Sequence, residues 1–161
     1  MPDPRIRRVV AADVPAVVRL IEELAVYEKM QDEFQLTEDQ LRAALFDESP
    51  ALFGHVAEVD GQIVGYAIWY LNFSTYRGTH GIYLEDVYIQ PPMRGSGLGA
   101  AMLAALASEC VNRGYARFEW WVLDWNQPAI DFYRSLGTAT IDDVTLCRLS
   151  GSALAGLAAR T

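Results

Sequence analysis

Gln90-Pro91-Pro92-Met93-Arg94-Gly95-Ser96-Gly97-Leu98-Gly99-Ala100 stands between a β-rich run and a helical pattern. The prolines stop the strand Tyr83 to Ile89, because proline lacks the donor that a sheet interior requires. A helix follows from about Leu98 to Arg113, with Met102, Leu103, Leu106, Ala107 and Cys110 at inward spacing and Gly114 as its stop. Glycines let the backbone approach a ligand closely, and the free amides and dipole of a helix start attract phosphate oxygens. A pyrophosphate is the expected guest of such a turn.

Several readings meet there. A Walker P-loop needs Lys followed by Ser or Thr after the last glycine, and this chain has Ala100-Ala101. A Rossmann turn is matched in spacing by Gly95, Gly97 and Ala100, with Glu119 near the expected acidic position. The remainder of the chain is too short for the parallel strands and crossover helices of that fold. A turn that only tightens strand–helix packing explains one or two glycines, not an arginine-led run with glycine at three alternate positions.

Outward from the turn the elements follow from pattern. Asp13-Val14-Pro15 reads as the start of a helix capped by Asp13, with Val17, Leu20, Ile21 and Leu24 on one face and an end near Tyr27. A second helix begins at Thr37, where Gln40 completes a capping box and Leu41, Ala44 and Leu45 share a face. The polar stretch between them, Glu28 to Gln35, has the length of a loop that could cover a site. Leu52 to Val59 and Ile63 to Leu71 are strands joined by Asp60-Gly61, a pair suited to the positive φ angles of a tight hairpin. Phe118 to Leu123 is a further strand, Asn126-Gln127-Pro128 opens a short helix closing at Gly137, and a last strand fits Thr145 to Leu149. The expected fold is α/β (α+β): one domain over residues 1–161 with a mixed, mostly antiparallel sheet and helices on both faces.

Composition sets the outer limits. With 161 residues, 52% hydrophobic and 21% charged, the chain can build a full core and lies far from disordered compositions. No apolar run is long enough to span a bilayer, and the start Met-Pro-Asp-Pro-Arg lacks a signal-peptide plan, so a cytoplasmic protein without a membrane is expected. A formal charge of −8 speaks against nucleic acid as a partner and tolerates a cationic substrate. Cys110 and Cys147 lack metal-site spacing and read as buried thiols; no metal is expected. His55 and His80 have no neighbours that mark a nucleophile and read as structural or solvated.

Arg94-x-x-Gly97-x-Gly99 is similar to the coenzyme A pyrophosphate loop of the GNAT superfamily of N-acetyltransferases. The similarity extends to Leu84-Glu85-Asp86-Val87-Tyr88-Ile89, Val122-Leu123-Asp124-Trp125-Asn126, Pro128-Ala129-Ile130-Asp131-Phe132-Tyr133 and Leu24-Ala25-Val26-Tyr27-Glu28, which resemble the diamine (spermidine/spermine and thialysine) branch in order and spacing. The resemblance implies a splayed central strand pair, with the backbone of Val87, Tyr88 and Ile89 on the pantetheine arm of acetyl-CoA. It implies that Arg94, Gly95, Ser96, Gly97, Leu98, Gly99 and Ala100 hold the pyrophosphate, while Asn126, Gln127, Pro128, Ala129 and Tyr133 line the coenzyme near its sulfur. Tyr27, Glu28, Glu85, Glu119, Trp120 and Trp121 would face the amine, and a homodimer is implied. Where the family often carries a Glu-Trp pair, this chain has Asp142-Asp143-Val144.

The chemistry adds roles. Removing the proton of an alkylammonium at pH 7 costs about 4.6 kcal/mol before it can attack a thioester, so a base or a water chain is needed. Glu85 is the candidate base through water, Tyr133 the candidate acid for the leaving thiolate, and Glu28 an anchor for a cationic chain. Without a positioned nucleophile, direct transfer is expected. Each role has a plainer rival: Tyr133 as a core aromatic, Glu119 as a solvated strand residue. Glu85 and Asp86, adjacent on a strand, are expected on opposite faces.

Overall fold

The structure is a computed structural model that describes residues 1–160. It divides into two compact units, Met1–Trp121 and the residues from Val122 onward. The first holds five strands in spatial order β1-β2-β3-β4-β5: β1 (Ile6–Arg8), β2 (Phe53–Val59), β3 (Gln62–Ser74), β4 (Thr79–Ile89) and β5 (Phe118–Glu119). The first four pair antiparallel and β5 lies parallel to β4. The same unit carries α1 (Val14–Tyr27), α2 (Glu38–Phe46) and α3 (Leu98–Arg113).

The hairpin between β2 and β3 turns where expected, with φ of 50° at Asp60 and 75° at Gly61. Both are left-handed values, and they match the twist of the flanking strands. The capping box at Thr37 also forms, its hydroxyl accepting from Gln40 N at 3.2 Å while Thr37 N donates to Gln40 Oε1 at 2.9 Å. Gly114, with φ of 67°, ends α3.

Side-chain alternation divides the sheet into two faces. Val56, Tyr66, Ile68 and Tyr88 form one core cluster with Val14, Val17, Leu20 and Leu24 of α1 and Leu41 and Leu45 of α2. The next residues along the strands, Ala57, Ala67 and Trp69, are equally buried and turn to the other face, where α3 lies. There His55 Nδ1 accepts from Trp69 Nε1 at 3.2 Å, Arg8 lies 5.0 Å from the centre of a Trp69 ring, and Arg8 pairs with Glu109 of α3. Helices thus cover both faces.

Several expectations need correction. The Asp13 carboxylate makes no side-chain bond to the start of α1; it accepts from Val10 N at 2.8 Å and pairs with Arg7, also at 2.8 Å. Ala107 faces outward, because an alanine at the rim of the inward stripe is too short to reach the sheet. Only Phe118–Glu119 of the expected strand Phe118 to Leu123 is ladder-paired. Cys147 is exposed, whereas Cys110 is buried as expected. Strand β1 escaped notice because one apolar residue between arginines carries no period.

In the second unit, α4 (Gln127–Ser135) begins at Asn126, whose Oδ1 accepts from Ala129 N at 3.4 Å, with Pro128 in the first turn. The strand expected at Thr145 to Leu149 is absent: among the described residues of this unit no ladder exists for it to join. A short helix, α5 (Gly151–Ala158), follows instead, and its small apolar residues gave no amphipathic signal.

Candidate active site

Strand β4 carries the decisive irregularity. Its register on β3 runs Tyr83 to Tyr70 and Leu84 to Trp69, then resumes with Asp86 on Ile68, leaving Glu85 as an extra residue in a β-bulge. A bulge resets the alternation of the strand that contains it. Leu84 shares the α3 face with Trp69, whereas Asp86 and Tyr88 share the α1 face with Ile68 and Tyr66. Glu85 interacts electrostatically with Asp86 and with Tyr70 and Tyr83 of the α1 face. Both carboxylates therefore project to one side, which corrects the expectation of opposite faces.

Pairing of β4 with β5 ends at Tyr83 opposite Glu119, while β4 continues to Ile89. From Leu84 onward the β5-side edge of β4 has no strand against it among the described residues. This is the splay expected from the resemblance, and it leaves the outward main-chain groups of this stretch without a strand partner, apart from Ile89 O, which accepts from Arg94.

The glycine turn stands at the end of that edge. Gly95 and Gly97 have φ of 78° and 84°, and a Cβ built on either meets nothing within 4 Å. Space, not neighbouring protein, surrounds these positions. The first helical bond of α3 is Ala101 N to Gly97 O at 2.9 Å, so the amides of Leu98, Gly99 and Ala100 precede the ladder and remain for an anion. The loop fits a pyrophosphate. Arg94 is anchored by Nε donating to Ile89 O at 3.0 Å, and its guanidinium lies 5.1 Å from the Tyr27 ring and 5.5 Å from the Tyr88 ring. This joins Tyr27, at the end of α1, to the glycine loop.

Beside the bulge lies a cleft of ≈160 Å³ lined by Ile21, Leu24, Ala25, Glu28, Met30, Glu33, Phe34 and Asp86. The stretch after α1 forms part of the wall of this cleft through Met30, Glu33 and Phe34, with a one-turn helix at Gln31–Glu33. Burial raises the Glu28 carboxyl. Asp86 is raised further, to about 7, by burial and then by the charges of Glu85 and Glu28. Neither Asp86 nor Glu33 takes a role from residue pattern, because alternation cannot foresee a bulge and a surface glutamate carries no pattern.

Glu119 is already engaged, accepting from Asn72 Nδ2 at 3.1 Å and pairing with Arg117 at 3.1 Å. The Trp120 ring lies tilted against that of Phe118 with ring centres 4.8 Å apart, and Trp121 is exposed. In the second unit Asn126 is buried at the start of α4, Gln127 Nε2 donates to Asp131 at 2.7 Å, and Tyr133 is half-buried next to the Phe132 ring. The His55 imidazole is held neutral, its pKa depressed to about 4 by burial and by Arg8, and it stands on the α3 face away from the cleft.

Comparison with known proteins agrees with this geometry. Residues 18–138 match the acetyltransferase (GNAT) family. The chain is 36% identical to the thialysine N-epsilon-acetyltransferase of Bos taurus over 96% of its own length and 97% of that protein. It is 34% identical to the human spermidine/spermine N(1)-acetyltransferase-like protein 1, over 83% of this chain and 20% of that one. Among solved structures, an integron cassette protein from the mobile metagenome of V. cholerae superposes with a TM-score of 0.79 at 24% identity, covering 95% of this chain and 96% of that one. A splayed β4 edge running into an open glycine turn, found in a chain so related, means that this protein belongs to the GNAT family and is an acetyl-CoA-dependent N-acetyltransferase.

Proposed function

We propose that the acceptor is a primary amine on a small polyamine, diamine or lysine-like amino acid, acetylated by direct transfer within residues 1–161 acting as one GNAT domain. The observation that carries this is the acidic, partly apolar cleft beside the bulge: Glu28, Glu33 and Asp86 supply charge, and Ile21, Leu24, Ala25 and Phe34 suit a methylene chain. The names of the thialysine and spermidine/spermine relatives support the same acceptor class. Its small volume favours an aliphatic amine over a multi-ring antibiotic or a folded protein surface. Residues 18–138, which match the family, run across both compact units in sequence and support the single-domain reading.

Acetyl-CoA supplies the activated acetyl thioester. Val87, Tyr88 and Ile89 offer main-chain groups to its arm, and Arg94 to Ala100 offer amides and charge to its pyrophosphate. Asn126, Gln127, Pro128, Ala129 and Tyr133 are assigned to the coenzyme by resemblance, as Tyr27, Glu85, Glu119, Trp120 and Trp121 are to the acceptor. Glu85, exposed at the bulge, takes the ammonium proton through water, and the Tyr133 hydroxyl holds the proton that the departing sulfur receives. No metal is needed for this chemistry. No described helix is long and apolar enough to cross a membrane. A cytoplasmic homodimer without a membrane or nucleic-acid partner completes the proposal. Its support is the exposed apolar set Ile141, Val144, Leu146, Leu154 and Leu157.

The test is a mixture of diamine, lysine-like amino acid, neutral-tailed monoamine and aminoglycoside offered with acetyl-CoA. Acetylated diamine or lysine-like product should dominate. Preferential acetylation of the aminoglycoside would move the chain to a different specificity.

A further inference from the structure

One carboxylate beside the glycine turn has no role in the account so far. Glu23 stands one helical turn before Tyr27 on α1, so the two side chains share a face of that helix. Both of its oxygens accept from Gln90 Nε2, at 3.1 and 3.2 Å, and Oε2 also accepts from the Tyr88 hydroxyl at 3.4 Å. Gln90 is the first residue after β4 and the root of the glycine turn. Its carbonyl accepts from Met93 N at 2.9 Å, and the one-turn helix Pro91–Met93 that it opens leads directly into Arg94.

The end of α1 thus reaches the turn at its root and at its first charged residue. Glu23 holds the root through Gln90, while the Arg94 guanidinium lies against the Tyr27 ring and against the Tyr88 ring whose hydroxyl Glu23 accepts from. Glu23 and Arg94 act on that hydroxyl in opposite senses: beyond the effect of burial, Glu23 raises its pKa and Arg94 lowers it. An arginine free to rotate loses side-chain entropy when it grips a phosphate, and one already held in place loses less. A carboxylate bonded to the root of a phosphate-binding turn also repels the phosphate, since like charges repel. Its value there lies in the bonds it accepts and not in its charge.

We propose that Glu23 is a positioning residue for donor binding: through Gln90 and Tyr88 it holds the glycine turn and the Arg94 guanidinium in the arrangement that receives the pyrophosphate of acetyl-CoA. It acts through those two side chains and not by contact with the coenzyme. The two effects of the carboxylate have opposite signs. Repulsion alone makes binding tighter when Glu23 is removed; positioning makes it weaker.

The proposal rests on the glycine turn being the pyrophosphate site, and the experiment separates the two. Let calorimetry give the acetyl-CoA Kd of the full chain, without acceptor, for wild type, Glu23→Ala, Glu23→Gln, Arg94→Ala and the Glu23→Ala, Arg94→Ala double variant, with a thermal melt of each. Glu23→Ala should raise Kd roughly tenfold, the scale of a lost charge-assisted hydrogen bond. Glu23→Gln removes the charge but keeps an acceptor for Gln90 Nε2, so its Kd should lie between those of wild type and Glu23→Ala. In the Arg94→Ala background the Glu23→Ala change should lose most of its effect on Kd while its effect on melting temperature persists. The Kd of S-acetylpantetheine, which lacks the pyrophosphate, should be the same in Glu23→Ala as in wild type. An acetyl-CoA Kd unchanged or lowered in Glu23→Ala, or an equal loss with S-acetylpantetheine, overturns the positioning role. So does a Glu23→Ala effect on Kd that is undiminished in Arg94→Ala. If Glu23→Ala does not fold, Gln90→Ala takes its place, and an unmoved Kd there overturns the role. Arg94→Ala binding acetyl-CoA as tightly as wild type would instead remove the turn from the coenzyme site, and the role of Glu23 with it.

Discussion

His55 is one of few residues whose protonation opposes the fold. Its pKa is depressed from 6.5 to about 4 by burial and by the Arg8 charge, and its Nδ1 accepts from the Trp69 indole N–H. The folded state binds this proton less readily than the unfolded chain does. Its contribution is therefore fully present above pH 6.5 and is lost as pH falls towards 4. By pH 5 the loss amounts to about 2 kcal/mol. Thermal melts across that window should show a steeper decline for the wild type than for His55→Asn, whose amide oxygen can still accept the indole; parallel curves would mean that His55 is already charged in the fold. Tyr133 tests catalysis at the same scale. Tyr133→Phe keeps the ring, so the melting temperature should hold while kcat falls by about 10²–10⁴-fold if the hydroxyl is the acid. A collapse in stability instead would make it a packing residue. Glu28 was legible in the sequence by resemblance and lines the cleft; Asp86 was not, since its orientation depends on a register shift that no residue type announces.

At the scale of elements, punctuation was the readable part. Asp60-Gly61, Thr37 with Gln40, and Gly114 each encode a local backbone geometry, and each is found where the residues demanded it. Elements that depend on partners were not legible: β1 exists because β2 offers an edge, and Thr145 to Leu149 is no strand because nothing in its unit pairs with it. The glycine loop permits a sharp test. A Cβ at Gly97 meets nothing within 4 Å, so a side chain has room to start there and costs about 1–2 kcal/mol of left-handed strain. Gly97→Val should thus remain folded while its acetyl-CoA dissociation constant rises at least tenfold by calorimetry. A folded variant with wild-type affinity would remove this loop from the coenzyme site.

At the scale of the molecule, mixed sheet, the order of α1 to α4 and family were legible, because one motif fixed the centre and the flanking blocks agreed with it. The proposed homodimer would draw on exposed Leu154 and Leu157 of α5 and Leu146 before it. Light scattering should give twice the chain mass, and Leu154→Glu with Leu157→Glu should shift the protein towards monomer; a wild-type monomer at micromolar concentration would contradict the homodimer. The central claim is acetyl transfer to a small amine. It is tested most directly by incubating the purified chain with acetyl-CoA and 1,3-diaminopropane and measuring free coenzyme A and product mass together. One acetyl group on the diamine for each coenzyme A released is the predicted result. Coenzyme A release no faster than without the amine, with the diamine unmodified, would contradict it.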